Sequence, residues 1–342
     1  QVRDKINIIQ LSLDQERKSK GPRSKLHGIP ILIKDNINTN DKMHTTANSE
    51  SLADLITPYD ATVVTKLRDA GVIILGKANL SEFAYFMSYD KMPSGYGSRN
   101  GQVVSPYNKE IDPLGSSTGS AVAVAANLIC VSIGTETNGS LMAPAYKNSI
   151  VSIKPTFGLV SRYGIIPISE TQDTAGPMGR NVADCAILLD AIVGSDPLDH
   201  YTKNADSNKQ KFNESYLKSA KGKKVGILYF SNFKYDDEES LILDQAIKTL
   251  ENEGLVVKKI EIEAHPMKND ESLLYEFKNS LNSYLATVSG HTKMKSLKDI
   301  IEFNLENPEK RLKYGQSILV ASENTSGDLQ DSAYLSIREK LL

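Results

Sequence analysis

Residues 1–17 place apolar side chains at helical spacing and predict an amphipathic helix with no signal-peptide core. From residue 20 to about residue 196, short apolar runs alternate with helical patterns, which is the signature of a mixed α/β layer architecture around a central sheet. Residues 29–34 (IPILIK) read as a buried strand that ends in a lysine, and residues 72–75 as a second strand. Between them Asp60 is placed to cap a helix that runs through Arg68 and stops at Gly71. Residues 119–129 (GSAVAVAANLI) are small and apolar enough for a tightly packed buried helix, followed by a strand at 131–134. Asn181 and Asp184 form a capping pair that opens the helix VADCAILLDAIVG.

The pattern changes at Pro197. Residues 197–224 are polar and lysine-rich and read as a solvated connector. Beyond it, residues 224–229 predict a strand, 237–253 an amphipathic helix and 255–262 another strand, and residues 271–342 are mainly helical and charged. The expectation is one large domain over 1–342, with a catalytic core at 20–196 and a second half at 197–342 joined through the linker near 197–224. Because the chain begins at Gln1 and stops inside the helical IREKLL, it reads as lacking both ends of its domain.

Composition narrows the function. With 40% hydrophobic and 24% charged residues over 342 positions the chain is of ordinary globular make-up, which excludes disorder and a disulfide-stapled miniprotein. Forty basic against 42 acidic side chains leave a net charge of -2, so neither nucleic acid nor an anionic membrane is an expected partner. No run approaches the roughly 18–20 consecutive apolar residues of a membrane span. Cys130 and Cys185 each sit in an apolar run and read as packed interior, so a reducing, cytoplasmic compartment is expected. His27, His44, His200, His265 and His291 are scattered singly, so no metal site and no cofactor is expected, and the base of an enzyme here need not be histidine.

Three clusters carry candidate chemistry. Gly115-Ser116-Ser117-Thr118-Gly119-Ser120 leads straight into a helix, and by itself reads as a structural loop, as a phosphate cradle without the lysine of a P-loop, or as a serine nucleophile. It matches GxSxG with Ser117 at the centre, but the preceding residues 106–113 cannot form the strand that such an elbow needs. Gly134-Thr135-Glu136-Thr137-Asn138-Gly139-Ser140 reads either as a plain turn or as a nest of inward backbone N–H groups fit for an oxyanion. Lys34, at a strand end, is either an exposed gatekeeper or a buried lysine able to lose its proton and act as a base.

Together these clusters resemble the amidase signature family. The resemblance is carried by Gly28-Ile29-Pro30-Ile31-Leu32-Ile33-Lys34-Asp35-Asn36, by GSSTGSAVAVAANL at 115–128, by GTETNGS at 134–140, and by KPTFGLVSRYGIIPI followed by Gln172-Asp173-Thr174-Ala175-Gly176-Pro177-Met178. TETNGS and TQDTAGPM look most like the peptide-amidase and general-amidase branch, and less like the A subunit of the tRNA amidotransferases. The resemblance implies an α/β fold with a central mixed β-sheet covered by helices on both faces. It implies Ser140 as nucleophile, Ser116 as relay held by a cis peptide after Gly115, and neutral Lys34 as base; these serines are 24 positions apart, as in the family. Thr137, Asn138 and Gly139 would supply the oxyanion hole, and Phe83, Ala84, Ser117 and Met142 would border the substrate. Met142 stands where many members carry arginine, which removes a carboxylate-binding charge and bears on substrate choice. Leu114, Thr118 and Asn138 are further departures from the wider family. The implied partner is a small-molecule or peptide amide, acted on by a monomer or homodimer. The implied alternative is the role of the amidotransferase A subunit, or a catalytically silent relative.

Overall fold

In the computed structural model, residues 2–209, 211–232, 234, 236–263 and 270–341 are described, so His265 and Gln1 lie outside the described residues. The strands are β1 (Pro30–Lys34), β2 (Ile73–Ala78), β3 (Tyr96–Gly97), β4 (Gly101–Gln102), β5 (Val131–Glu136), β6 (Val151–Ser152), β7 (Thr174–Gly179), β8 (Lys224–Phe230) and β9 (Val256–Ile262). The helices are α1 (Val2–Lys20), α2 (Thr62–Asp69), α3 (Thr118–Ala125), α4 (Met142–Lys147), α5 (Val182–Ile192), α6 (Phe212–Ser215), α7 (Asp237–Asn252), α8 (Asp270–Thr287), α9 (Leu297–Leu305), α10 (Pro308–Arg311), α11 (Ser317–Glu323) and α12 (Ser332–Leu341). They form two compact units, one from residues up to Tyr216 together with residues 270–340, the other from Leu217–Asn269. The C-terminal helices return to the first unit, so the grouping follows space rather than chain order.

The first unit holds a mixed sheet in the order β2-β1-β5-β7-β6, with β1 parallel to β2 and β5, and β7 antiparallel to β5 and β6. Strand alternation gives β1 two apolar faces. Ile31 and Ile33 pack into a core with Val63, Val64 and Leu67 of α2 and Leu188, Leu189 and Ile192 of α5. Leu32 points the other way, against Ala123, Val124 and Ile129 around α3. The same alternation puts Lys34 on the Leu32 face, the face toward which α3 presents its N-terminus.

Several local expectations change in three dimensions. Asp60 does not cap α2. The N-cap is Ala61, and the Asp60 carboxylate instead accepts from Arg68 Nε at 3.0 Å and from the Asn40 N–H at 2.6 Å. Asn181 does cap α5, accepting the Asp184 N–H at 2.8 Å. Helix α3 ends at Ala125 and Leu128 is exposed just beyond it; Cys130, between buried Ile129 and Val131, points to the surface, whereas Cys185 is interior. Residues 197–216 are not a solvated connector throughout: Asp199 pairs with Arg162 at 2.7 Å, and Thr202 and Ala205 are buried. Asp199 and Thr202 bond inward, while Lys203, Asn204 and the polar residues 206–209 are exposed as expected.

The second unit is the expected strand-helix-strand, with β8 and β9 parallel from Lys224↔Val256 to Phe230↔Ile262. Its helix α7 starts at a capping box formed by Asp236 and Glu239. Among the described residues no helix is long and apolar enough to cross a membrane.

Candidate active site

Lys34 is fully buried. The residue after it is locked in place: the Asp35 N–H bonds to Ala78 O at 2.9 Å, and the Asp35 carboxylate takes the hydroxyl of Thr46. With the strand end fixed, Lys34 Nζ lies 2.8 Å from Ser116 Oγ, 2.9 Å from Ser117 Oγ and 3.1 Å from Thr135 O. Burial pulls the Lys34 ammonium down to about 7, against the opposing pull of the Asp173 and Glu136 carboxylates. Lys34 can thus be largely neutral at mildly alkaline pH, as a base requires.

Both serines beside it are fully buried, and the Gly115–Ser116 peptide is cis. Ser117 donates from Oγ to Thr135 O at 2.9 Å and accepts from the Thr135 N–H at 3.2 Å. Its hydroxyl is committed to the lysine and to the β5 backbone, so Ser117, expected at the substrate, faces inward instead. The close approach needs a glycine on β5: a Cβ on Gly134 would sit 2.8 Å from Ser117 Oγ and 2.7 Å from Leu141 Cδ2. Gly134→Ala is therefore expected to destabilise the fold by about 1–3 kcal/mol through overpacking, read as a lowered midpoint in denaturant melts.

The strand expected at 131–134 is longer than its apolar run: β5 continues to Glu136, and only Thr137–Ser140 form the turn. Ser140 is buried, and its carbonyl accepts the Ser117 N–H at 3.2 Å, tying the two serine segments together. The Glu136 carboxylate accepts from the N–H groups of Leu141 at 2.7 Å and Met142 at 3.1 Å, which anchors the start of α4. Gly139 adopts φ +81°, which turns the chain between Asn138 and Ser140. Among the described residues, the backbone N–H groups of Asn138, Gly139 and Ser140 have no acceptor in the protein. Unpaired N–H groups in so short a turn make an anion-accepting concavity.

Thr137 contributes its side chain to the framework, donating its hydroxyl to Asp173. Burial pushes the Asp173 carboxyl up, opposed by the donors around it, first Thr137 and then the N–H groups of Ser169 and Ile168. Neither Asp173 nor Glu136 stands out in the sequence beyond its place in a motif. The one usable signal is that each carboxylate sits within a few residues of a turn whose N–H groups need acceptors.

The remaining expected substrate contacts divide. Phe83 is core, edge-on to Phe277 with ring centroids 6.3 Å apart, while Ala84 lines a cavity of about 370 Å³. The same cavity is lined by Asn36, Thr135, Glu136, Thr137 and Asp173, so it adjoins the candidate segments without being lined by Lys34, Ser116, Ser117 or Ser140. Met142 is 45% exposed at the start of α4. Among the described residues of the cluster no histidine approaches Ser117, which removes the support for a GxSxG triad centred there.

A mixed sheet sandwiched by helices, with a buried lysine on paired serines at the end of an inner strand, is the setting in which the family relationship becomes decisive. The family model described as Amidase matches residues 4–338, and the chain belongs to the amidase family. A probable amidase of Arabidopsis thaliana is 45% identical over 318 residues, covering 88% of this chain and 60% of that protein. The native peptide amidase of Stenotrophomonas maltophilia superposes with a TM-score of 0.88 at 42% identity, covering 96% of this chain and 68% of that one. The A subunit of the glutamyl-tRNA(Gln) amidotransferase of Pseudomonas syringae is 38% identical over 259 residues, covering 75% of this chain and 52% of that protein. The chain thus spans between half and about two thirds of the length of these relatives.

Proposed function

We propose that this chain carries the site of a serine amidohydrolase that splits a carboxylic or peptide amide into acid and ammonia or amine. The observation that carries the reading is Lys34: fully buried, 2.8 Å from Ser116 Oγ, and held near a pKa of about 7 by that burial. A neutral amine has two N–H groups and one lone pair. Thr135 O can only accept, and Ser117 has already given its proton to that carbonyl, so the two N–H groups go to Thr135 O and Ser117 Oγ. The lone pair is left facing Ser116, ready to take its proton.

In the proposed cycle the Ser140 oxygen attacks the amide carbon, Ser140 passes its proton to Ser116, and Ser116 passes its own to Lys34. The oxyanion is met by the free N–H groups of the 138–140 turn. Collapse breaks the C–N bond, the relay returns the proton to the leaving amine, and water then releases the acid from Ser140. The amidotransferase reading is the less supported of the two: its A-subunit relatives are 38% identical against 45% for the amidase of Arabidopsis thaliana, and Met142 offers no charge to a substrate carboxylate. Two unpaired cysteines are in keeping with a reducing, cytoplasmic setting.

The test is mass spectrometry of the chain after treatment with a fluorophosphonate. The expected result is a single adduct on Ser140, reduced sharply in Ser116→Ala; an adduct on Ser117 that persists in Lys34→Ala would defeat the reading.

A further inference from the structure

Glu276, in the middle of α8, is a fully buried carboxyl group far in sequence from every catalytic motif. Such a group survives burial only when donors surround it. Its four donors come from two places. Tyr334 of α12 donates its hydroxyl at 2.8 Å to one oxygen. The others belong to the loop before β7: the Ser169 hydroxyl, the Thr171 N–H at 3.2 Å and the Thr171 hydroxyl at 3.1 Å. The same loop is clamped from within by Asp173, which accepts the N–H groups of Ile168 at 2.8 Å and Ser169 at 2.9 Å. The other Asp173 oxygen takes the Thr137 hydroxyl, and Thr137 opens the turn whose N–H groups at 138–140 are free. A continuous set of hydrogen bonds therefore runs from α12 and α8 through the loop at 168–173 to the oxyanion turn.

We propose that Glu276 is a positioning residue for the oxyanion turn, acting through the Ser169–Asp173 loop and Thr137. The inference rests on the amidohydrolase reading above. An oxyanion site depends on donors that are already aimed when charge develops, so a turn held only by its own short helix α4 would lose part of that aim. Glu276 does not touch substrate in this scheme; it keeps Asp173 and Thr137 in register with the turn.

The experiment measures the rate of fluorophosphonate labelling of Ser140 across pH in wild type, Glu276→Gln, Thr137→Val and the double variant. Each single change is expected to lower the limiting rate about tenfold, and in Glu276→Gln, which leaves the Thr137 hydroxyl on Asp173, the pH midpoint set by Lys34 stays where it is. Because both act along one path, the double variant is expected to fall within about twofold of the slower single. An unchanged rate in Glu276→Gln, a loss in Glu276→Gln that comes from a moved midpoint, or a double variant roughly a hundredfold slower would overturn the proposal. Should Glu276→Gln fail to fold, Ser169→Ala removes the loop-side contact in its place and must show the same non-additivity with Thr137→Val. Failure of wild type to label at Ser140 would instead overturn the amidohydrolase reading, and this inference with it.

Discussion

Replacing Ser140 with alanine is expected to lower kcat on an amide substrate by a factor on the order of 10⁶, because the acyl-enzyme of the proposed cycle could not form. The fold should be untouched: Ser140 contributes its carbonyl to the Ser117 N–H, and alanine keeps that bond. Ser116→Ala should cost a similar order although the proposed cycle forms no bond between Ser116 and substrate, since residues that pass one proton act as a unit. Combined in one chain the two changes should lose scarcely more than either alone. Measured turnover with matched circular dichroism spectra decides this; a Ser140→Ala variant that retains more than about a hundredth of the activity would show that another residue is the nucleophile.

Lys34→Met carries the second large effect, an expected loss of about 10²–10⁴-fold in kcat, and it makes a separable statement about stability. In the proposed cycle Lys34 works unprotonated, so the rate is expected to climb through a midpoint near the value of about 7 to which burial lowers the lysine. A profile that stays flat from about pH 6 to about pH 9 argues against lysine as the base. The stability sign follows from the same shift. In the unfolded chain Lys34 binds a proton up to its ordinary value of 10.5, whereas in the fold it releases it above about 7. Between those values the unfolded state holds more protons, so this residue makes the fold more stable as pH rises, by about 1.4 kcal/mol per pH unit. Relative to Lys34→Met, the wild type should therefore gain stability from neutral to alkaline pH. Denaturant melts of the pair at about pH 7 and about pH 9 read that slope directly, and parallel behaviour of the two proteins would contradict a neutral buried amine.

Which parts of this were readable in one dimension follows from the range of the forces involved. The apolar run of β1, the glycine at the end of α2 and the Asn181 cap on α5 are local and periodic, and they appear where their residue types demand. Asp60 misleads because a carboxylate has no way to signal in sequence whether it will cap a helix or meet Arg68 and Asn40 across a loop. Cys130 misleads because an apolar run that contains a turn exposes its middle. The start of the polar stretch after Pro197 misleads because an inward carboxylate such as Asp199 and a solvated one look alike in composition.

The amino-acid sequence by itself determined the chemical vocabulary: a lysine at a strand end, two serines at a helix entry and a turn, glycines where side chains would collide, and the family to which these motifs belong. Tertiary structure decided what the residues are able to do. Desolvation on the α3 face lowers Lys34, an effect that depends on what surrounds it in space and not on its neighbours along the chain. Ser116 and Ser117, adjacent and alike in sequence, find different partners because only the Ser117 side chain reaches the β5 backbone. Glu276 and Ser169 meet from 107 positions apart, a contact that no local pattern encodes because the burial that requires it exists only after the chain has folded.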